Sequence, residues 1–195
     1  MSTIIVVRKH NQVCIAADTL ATIGDLKQSS AYDLAHEKIL CYQSNYIGIT
    51  GSSAHDVVLR SLLAEDNSQY DFSSRMAIFE SFRAIHEILK ERYYLNTKEE
   101  VDGEPQAPYE SSRIDALIAN SHGIFGVFAL REVCVYSKYW AIGSGAEIAL
   151  GAMYACYDEQ QDVETIARIA IEASAEFNTS TALPITSYTL PLETS

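Results

Sequence analysis

Ser2 carries two groups that can do chemistry together once Met1 is removed: a side-chain hydroxyl and a free α-amine. A small residue at position 2 is what methionine aminopeptidases tolerate, so the processed chain is expected to begin at Ser2. An α-amine titrates near about 7.7–8.0, so close to neutral pH it is partly unprotonated and can accept a proton from its own hydroxyl. Nucleophile and base on one residue form a complete unit for attack on a carbonyl. On the terminus alone, an ordinary processed end is the more economical reading, and the rest of the chain has to decide. The other reactive side chains offer no competing set. His36-Glu37 and His86-Glu87 both lack the second histidine of H-E-x-x-H, which argues against a zinc peptidase, and His86 reads as a surface or packing residue of a helix. No G-x-S-x-G elbow is present. Gly143-Ser144-Gly145 is followed by neither a G-x-G-x-x-G pattern nor a Walker lysine, so phosphate binding is weakly supported. Cys14, Cys41, Cys134 and Cys156 lie in apolar runs without C-x-x-C spacing and are expected to be buried free thiols. No cofactor and no metal site is expected.

The elements that would position Ser2 begin at once. Thr3 to Lys9 and Gln12 to Asp18 read as two buried strands joined by a turn at His10-Asn11. Thr19 to Glu37 is polar and irregular. A second strand pair follows, Lys38 to Tyr42 and Tyr46 to Thr50, turning at Gln43-Ser44-Asn45. Gly51-Ser52-Ser53 opens a helix, with Ser53 and Asp56 spaced as a capping box and Val57, Leu59, Leu62 and Leu63 facing inward. A longer helix spans about Ser73 to Tyr93, with Met76, Phe79, Phe82, Ile85, Ile88 and Leu89 as its stripe. The linker from Thr97 to Ser112 gathers Glu99, Glu100, Asp102, Glu104 and Glu110 against Lys98 and reads as a solvated loop or flap. Strands resume at Ile114 to Ala119, Gly123 to Leu130 and Val133 to Ala141. Two helices follow, Ala146 to Cys156 and one capped by Asp162 reaching about Phe177, then a strand from Leu183 to Leu190. Strands joined by short turns imply antiparallel sheets, and paired helices need a sheet face to cover. The expected fold is therefore α+β, a four-layer α-β-β-α sandwich with two stacked antiparallel sheets.

The bulk properties narrow the classes. The 195 residues fit a single domain spanning the whole chain, and 48% apolar content supplies a substantial core. Fourteen basic against 26 acidic residues, a net charge of −12, disfavour nucleic-acid binding and attraction to anionic membranes. No apolar run approaches the roughly 18 residues that span a bilayer, and no basic-then-apolar leader opens the chain, so a cytoplasmic location is expected.

Taken in order, several short motifs carry a resemblance. Ser2-Thr3-Ile4-Ile5-Val6-Val7-Arg8-Lys9, Val13 to Asp18, Thr22-Ile23-Gly24, Lys38-Ile39, Thr50-Gly51-Ser52-Ser53-Ala54 and Ala141-Ile142-Gly143-Ser144-Gly145 together resemble the proteasome β-type subunits. The likeness is strongest to the bacterial HslV-type peptidases, whose mature chains open with Thr-Thr-Ile-Val. It covers most of the chain and is weak in the acidic linker and near the end. The resemblance implies the N-terminal nucleophile hydrolase fold and gives each motif a role. Ser2 falls at the family's N-terminal threonine. Lys38 falls at the buried lysine that lowers the pKa values of amine and hydroxyl, and Asp18 at the carboxylate that orients that lysine. Gly51 falls at the glycine whose N–H faces the oxyanion, and Ser144 at a serine bonded near the amine.

Three departures accompany the likeness. Serine stands where the family has threonine. The stretch between Asp18 and Lys38 is longer than usual, which leaves Lys27 as a weaker substitute for Lys38. Ala173 to Asn178 offers no clean equivalent of a late aspartate. The serine and the acidic loop together suggest a divergent branch, that of the betaproteobacterial proteasome homologues. By the same resemblance, such subunits assemble as a homo-oligomeric double ring around a chamber that receives unfolded polypeptide from a ring ATPase unfoldase. The acidic loop would then ring the axial opening. Two other readings stay open at this point: a catalytically silent ring scaffold, and an N-terminal-nucleophile amidohydrolase acting on small amides. The presence of both Asp18 and Lys38 weighs against silence.

Overall fold

The apolar run that opens the chain is buried on both of its faces, and this fixes the architecture. In a computed structural model that describes residues 2–65, 70–98, 108–160 and 162–193, β1 (Thr3–Lys9) is the middle of a layered stack. Ile5 and Val7 point to a helix layer, while Ile4 and Val6 point to a second sheet. Alternate side chains of a strand face opposite ways, so a strand covered on both sides reads as continuous hydrophobicity.

Antiparallel pairing joins β1 to β2 (Gln12–Asp18), to β10 (Tyr139–Gly143) on its other side, and β2 to β11 (Ile185–Pro191), giving the order β10-β1-β2-β11. The second sheet, ordered β5-β6-β7-β8-β9, comprises β5 (Ile39–Tyr42), β6 (Asn45–Thr50), β7 (Asp115–Asn120), β8 (Gly123–Val127) and β9 (Val133–Tyr136). Helices α1 (Ser53–Leu63) and α2 (Arg75–Arg92) cover the five-stranded sheet through Leu59, Leu62, Ile78, Phe82, Ile85 and Leu89. Helices α3 (Ala146–Cys156) and α4 (Val163–Phe177) cover the four-stranded sheet through Met153, Ile166, Ala170 and Ile171. A third cluster, with Ile4, Ile15, Leu117 and Ile124, fills the space between the sheets. Each such fully buried side chain is worth about 1.5–3 kcal/mol of transfer free energy. The expected four-layer α-β-β-α order is observed.

Several expectations are corrected. The polar stretch after Asp18 holds a small hairpin, β3 (Ala21–Ile23) with β4 (Leu26–Gln28), and a 3-10 turn at Ser30–Tyr32. Val133 to Ala141, read as one strand, is two: β9 ends the five-stranded sheet and β10 edges the four-stranded one. No glycine or proline marks the bend at Ser137-Lys138, which is why the run reads as continuous. Ser52, not Ser53, caps α1, its Oγ accepting from Ala54 N at 3.2 Å, and Asp56 bonds Arg60 instead of closing a capping box. Val57 and Met76 are 66% and 64% exposed, and the buried stripe of α2 runs through Ile78 instead. Cys14 is buried but Cys41 is exposed, and all four thiols are free. The cap of α4 is as expected, with Asp162 accepting from Thr165 N at 2.7 Å. Glu99, Glu100, Asp102 and Glu104 of the acidic loop, and Met1, lie outside the described residues.

Candidate active site

The site is built where the ends of the two sheets meet. β2 ends at Asp18, whose carboxylate is wholly buried. Its Oδ1 accepts from Thr3 N and Lys38 Nζ, both at 2.8 Å, and its Oδ2 from Leu20 N at 3.0 Å and Ala182 N at 3.4 Å. A buried charge needs this degree of satisfaction. Lys38 immediately precedes β5, and its Nζ also donates to Leu20 O at 2.6 Å. Burial lowers the Lys38 pKa from the usual lysine value, while the Asp18 charge and hydrogen bond partly offset that effect. The ammonium is thus held in place and eased toward releasing a proton.

Ser2 is pinned from the opposite side. Its carbonyl accepts from Ser144 N at 2.8 Å, in the turn between β10 and α3. The next residue, Thr3, is tied by its N–H to Asp18 and by its hydroxyl to Thr181 Oγ1 at 2.6 Å. Gly143 allows this approach: it has φ +95, and a Cβ there would lie 1.9 Å from Ser2 O. Only glycine fits both constraints. Ser2, Lys38 and Gly51 line a single cleft of about 390 Å3, together with Thr19, Ile49 and Ser52. Gly51, at φ +124, links β6 to α1 and puts bare backbone beside the positive end of the α1 dipole.

All five expected site residues therefore converge. Ser2, Lys38 and Gly51 share the cleft, Asp18 lies beneath Lys38, and Ser144 holds the backbone of Ser2. Near the end of α4, Asn178, the residue that ends the helix, faces the Ser144 turn. Its Nδ2 donates to Ser144 O at 2.9 Å, and its Oδ1 accepts from Ser144 Oγ at 3.3 Å, Ser180 N at 2.9 Å and Thr181 Oγ1 at 3.2 Å. Asn178 and Thr181 were missed because only the fold brings residues 144, 178 and 181 together. The sole local signal was an asparagine closing an apolar helix. A larger polar cleft of about 620 Å3, bordered by Asn45, Asp71 and His122, contains none of these residues. Among the described residues no group of three His, Cys, Asp or Glu is placed to hold a metal ion, and no helix is long and apolar enough to cross a membrane.

Two antiparallel sheets stacked between helix pairs, with the opening strand delivering Ser2 to a lysine–aspartate pair, define the N-terminal nucleophile hydrolase fold. No family model matches the chain, and no curated protein does. Among solved structures it is similar to Thiobacillus denitrificans BPH, a bacterial proteasome homologue. The two are 41% identical over 99% of this chain and 100% of that one, with a TM-score of 0.90. The structure of that BPH in complex with epoxomicin aligns at 40% identity over 98% of this chain and 100% of that one, also with a TM-score of 0.90. HslV from Trypanosoma brucei aligns at 20% identity over 97% of this chain and 99% of that one, with a TM-score of 0.72, a likeness of fold. The chain belongs to the proteasome β-type/HslV-like family.

Proposed function

We propose that this chain is the subunit of a self-compartmentalising peptidase, one domain throughout, that cleaves peptide bonds of unfolded polypeptides with Ser2 as N-terminal nucleophile. The observation that carries the reading is the sharing of one cleft by Ser2, Lys38 and Gly51, above a fully satisfied Asp18 carboxylate. After removal of Met1, the Ser2 hydroxyl attacks the substrate carbonyl and passes its proton, through a water, to its own amine. The C–N bond breaks as the departing amine takes up that proton, leaving an ester on Ser2. Water then hydrolyses the ester and restores the hydroxyl. Lys38 keeps positive potential beside the amine and hydroxyl, favouring their deprotonated forms. The Gly51 N–H stabilises the oxyanion, a donor of a kind worth about 10²–10³ in rate.

Assembly into a homo-oligomeric double ring in the cytoplasm, fed by a ring ATPase unfoldase, follows the family pattern. Basic segments are the preferred substrates, since three carboxylates, Asp33, Glu37 and Asp56, line the cleft. The test is intact-mass spectrometry after incubation with epoxomicin, chosen because the T. denitrificans relative is seen in complex with it. A chain lacking Met1 and carrying one inhibitor, with no adduct on Ser2→Ala, is the expected result. A chain that keeps Met1 and takes up no inhibitor overturns it.

A further inference from the structure

Lys38 owes its position to a chain segment that holds almost nothing else in place. Between β4 and β5 the backbone makes one 3-10 turn and then no regular element until Ile39. Leu34 in this stretch is fully exposed. The local bonds there, Asp33 Oδ1 to Ala35 N at 2.9 Å and Asp33 O to His36 Nδ1 at 2.8 Å, tie the segment only to itself. Yet the Lys38 ammonium must meet Asp18, twenty residues earlier, at hydrogen-bond distance.

The residue just before it is gripped from two sides. The carbonyl of Glu37 accepts from Arg60 Nη2 at 2.8 Å, while Arg60 Nε bonds Asp56 Oδ2 at 2.8 Å one turn back on α1. The carboxylate of Glu37 accepts from the Tyr188 hydroxyl of β11. The Tyr188 ring is itself fixed, stacked on Tyr46 of β6 with centroids 4.4 Å apart and planes 25° apart. Immediately after Lys38, Ile39 enters the sheet in register with Gly48. We infer that Arg60 and Tyr188 are positioning residues for Lys38, a clamp on Glu37 that ties helix α1, the five-stranded sheet and strand β11 to the site. The inference rests on Lys38 acting at Ser2.

The chemistry of the clamp suits this task. A planar guanidinium can hold a carboxylate and a carbonyl at once in fixed directions, which a lysine ammonium on a flexible stem does not do. The hydrogen bond to Glu37, with burial adding to it, pushes the Tyr188 phenol up to about 12, so it remains a donor across the working range. Lys38 in turn sits where burial and the Asp18 charge oppose each other. A displacement that lengthens its contact with Asp18 and admits water changes both influences together. Loss of the clamp therefore alters the ionisation of Lys38 as well as its place.

The test compares Tyr188→Phe, which deletes one hydroxyl and keeps the ring stack, with Arg60→Met and Arg60→Lys. Arg168→Met on the remote exposed pair with Glu172 serves as control. Two readouts are taken: the pH dependence of epoxomicin adduct formation, and competitive acetylation of Lys38 across pH, mapped by peptide mass spectrometry against exposed Lys98. In the parent chain the Lys38 midpoint is expected to lie below the ordinary lysine value. In Arg60→Met and Tyr188→Phe it should move up toward that value, with adduct formation slowed roughly 10- to 100-fold, the scale of an ångström-sized misplacement. Arg60→Lys should fall between parent and Arg60→Met. Variants that melt earlier but keep the parent Lys38 midpoint and pH profile overturn the inference. A parent chain without an adduct would instead overturn Ser2 as nucleophile, and the Lys38 labelling would still decide the clamp.

Discussion

At the scale of single residues, Asp18 and Lys38 form an ion pair whose two functions can be separated. Asp18 is wholly buried and the Lys38 side chain is 14% exposed, so removing one partner leaves a desolvated charge behind. Such losses cost about 3–5 kcal/mol, whereas removing both charges together is often close to neutral. Lys38→Met should therefore destabilise the fold by about 3–5 kcal/mol in chemical denaturation. The double variant Asp18→Asn/Lys38→Met should recover only part of that stability, because the amide nitrogen must face one of the backbone N–H groups that the carboxylate accepts from, and it should form no epoxomicin adduct. A double variant as unstable as the single one would assign the cost to those backbone donors and not to the unpaired charge. Gly143→Ala makes a different prediction, because it acts through geometry alone. The added methyl would need the space of Ser2 O, so adduct formation should vanish, and intact-mass analysis checks it. Ser2, Asp18, Lys38, Gly51 and Ser144 stand out as candidates in the sequence because their neighbours form recognisable motifs. Asn178 and Thr181 do not, since Asn178 meets Ser144 thirty-four positions away, Thr181 meets Thr3 at the far end of the chain, and helix-ending asparagines are common.

At the scale of elements, α2 carries a titratable group on its packed face. His86 is buried, with Nδ1 2.9 Å from Ser112 Oγ and Nε2 3.4 Å from Glu110 Oε2. Arg131 donates to Ser112 Oγ at 3.0 Å, and Lys90 holds Glu110 at 2.6 Å. Burial is the main cause that lowers the His86 pKa below 6.5; Arg131 and Lys90 add to it and Glu110 opposes. Between the folded value and 6.5 the unfolded chain binds more protons, so stability rises with pH in that window. The contribution is fully present above about 6.5 and is lost as pH falls through the folded value. The melting temperature should thus decline on acidification from about pH 7 to about pH 5, and more steeply in the parent chain than in His86→Gln. Parallel curves would remove His86 from the account. The sequence placed α2 and its stripe correctly except for Met76, because Met76 and Ile78 are both apolar and helical spacing alone does not choose between them. The division of Val133 to Ala141 between two sheets was hidden for a related reason. Its bend occurs at Ser137-Lys138, while the alternation of β-branched and aromatic residues continues through it, with Tyr136 and Trp140 stacked 5.0 Å apart across the break. By contrast, β1 and β2 were read to the residue, since burial on both faces leaves one long apolar run and a clear turn.

At the scale of the whole molecule, the net charge of −12 has a local counterpart at the cleft. Within the lining, Lys38 is matched by Asp18 behind it, and Asp56 by Arg60. Asp33 and Glu37 are left as carboxylates without a cationic partner among these pairs, an excess that would make the field over the opening negative. Low-dielectric walls focus such a field and raise the local concentration of cations. Peptides of matched length and scissile sequence should then be cleaved faster when flanked by lysine than by glutamate, through a lower KM and not a higher kcat, because the flanking charge is felt before the chemical step. The preference should be largest near 0.01 M salt, where the screening length is about 30 Å, and fade toward about 1 M, where it is about 3 Å. Asp33→Asn should reduce it with little change in the pH profile, since Asp33 bonds to Ala35 and His36 and not to Ser2 or Lys38. Rates equal for basic and acidic peptides at every ionic strength would assign the charge to solubility. A preference that persists undiminished at high salt would instead point to direct contacts in the cleft as its source.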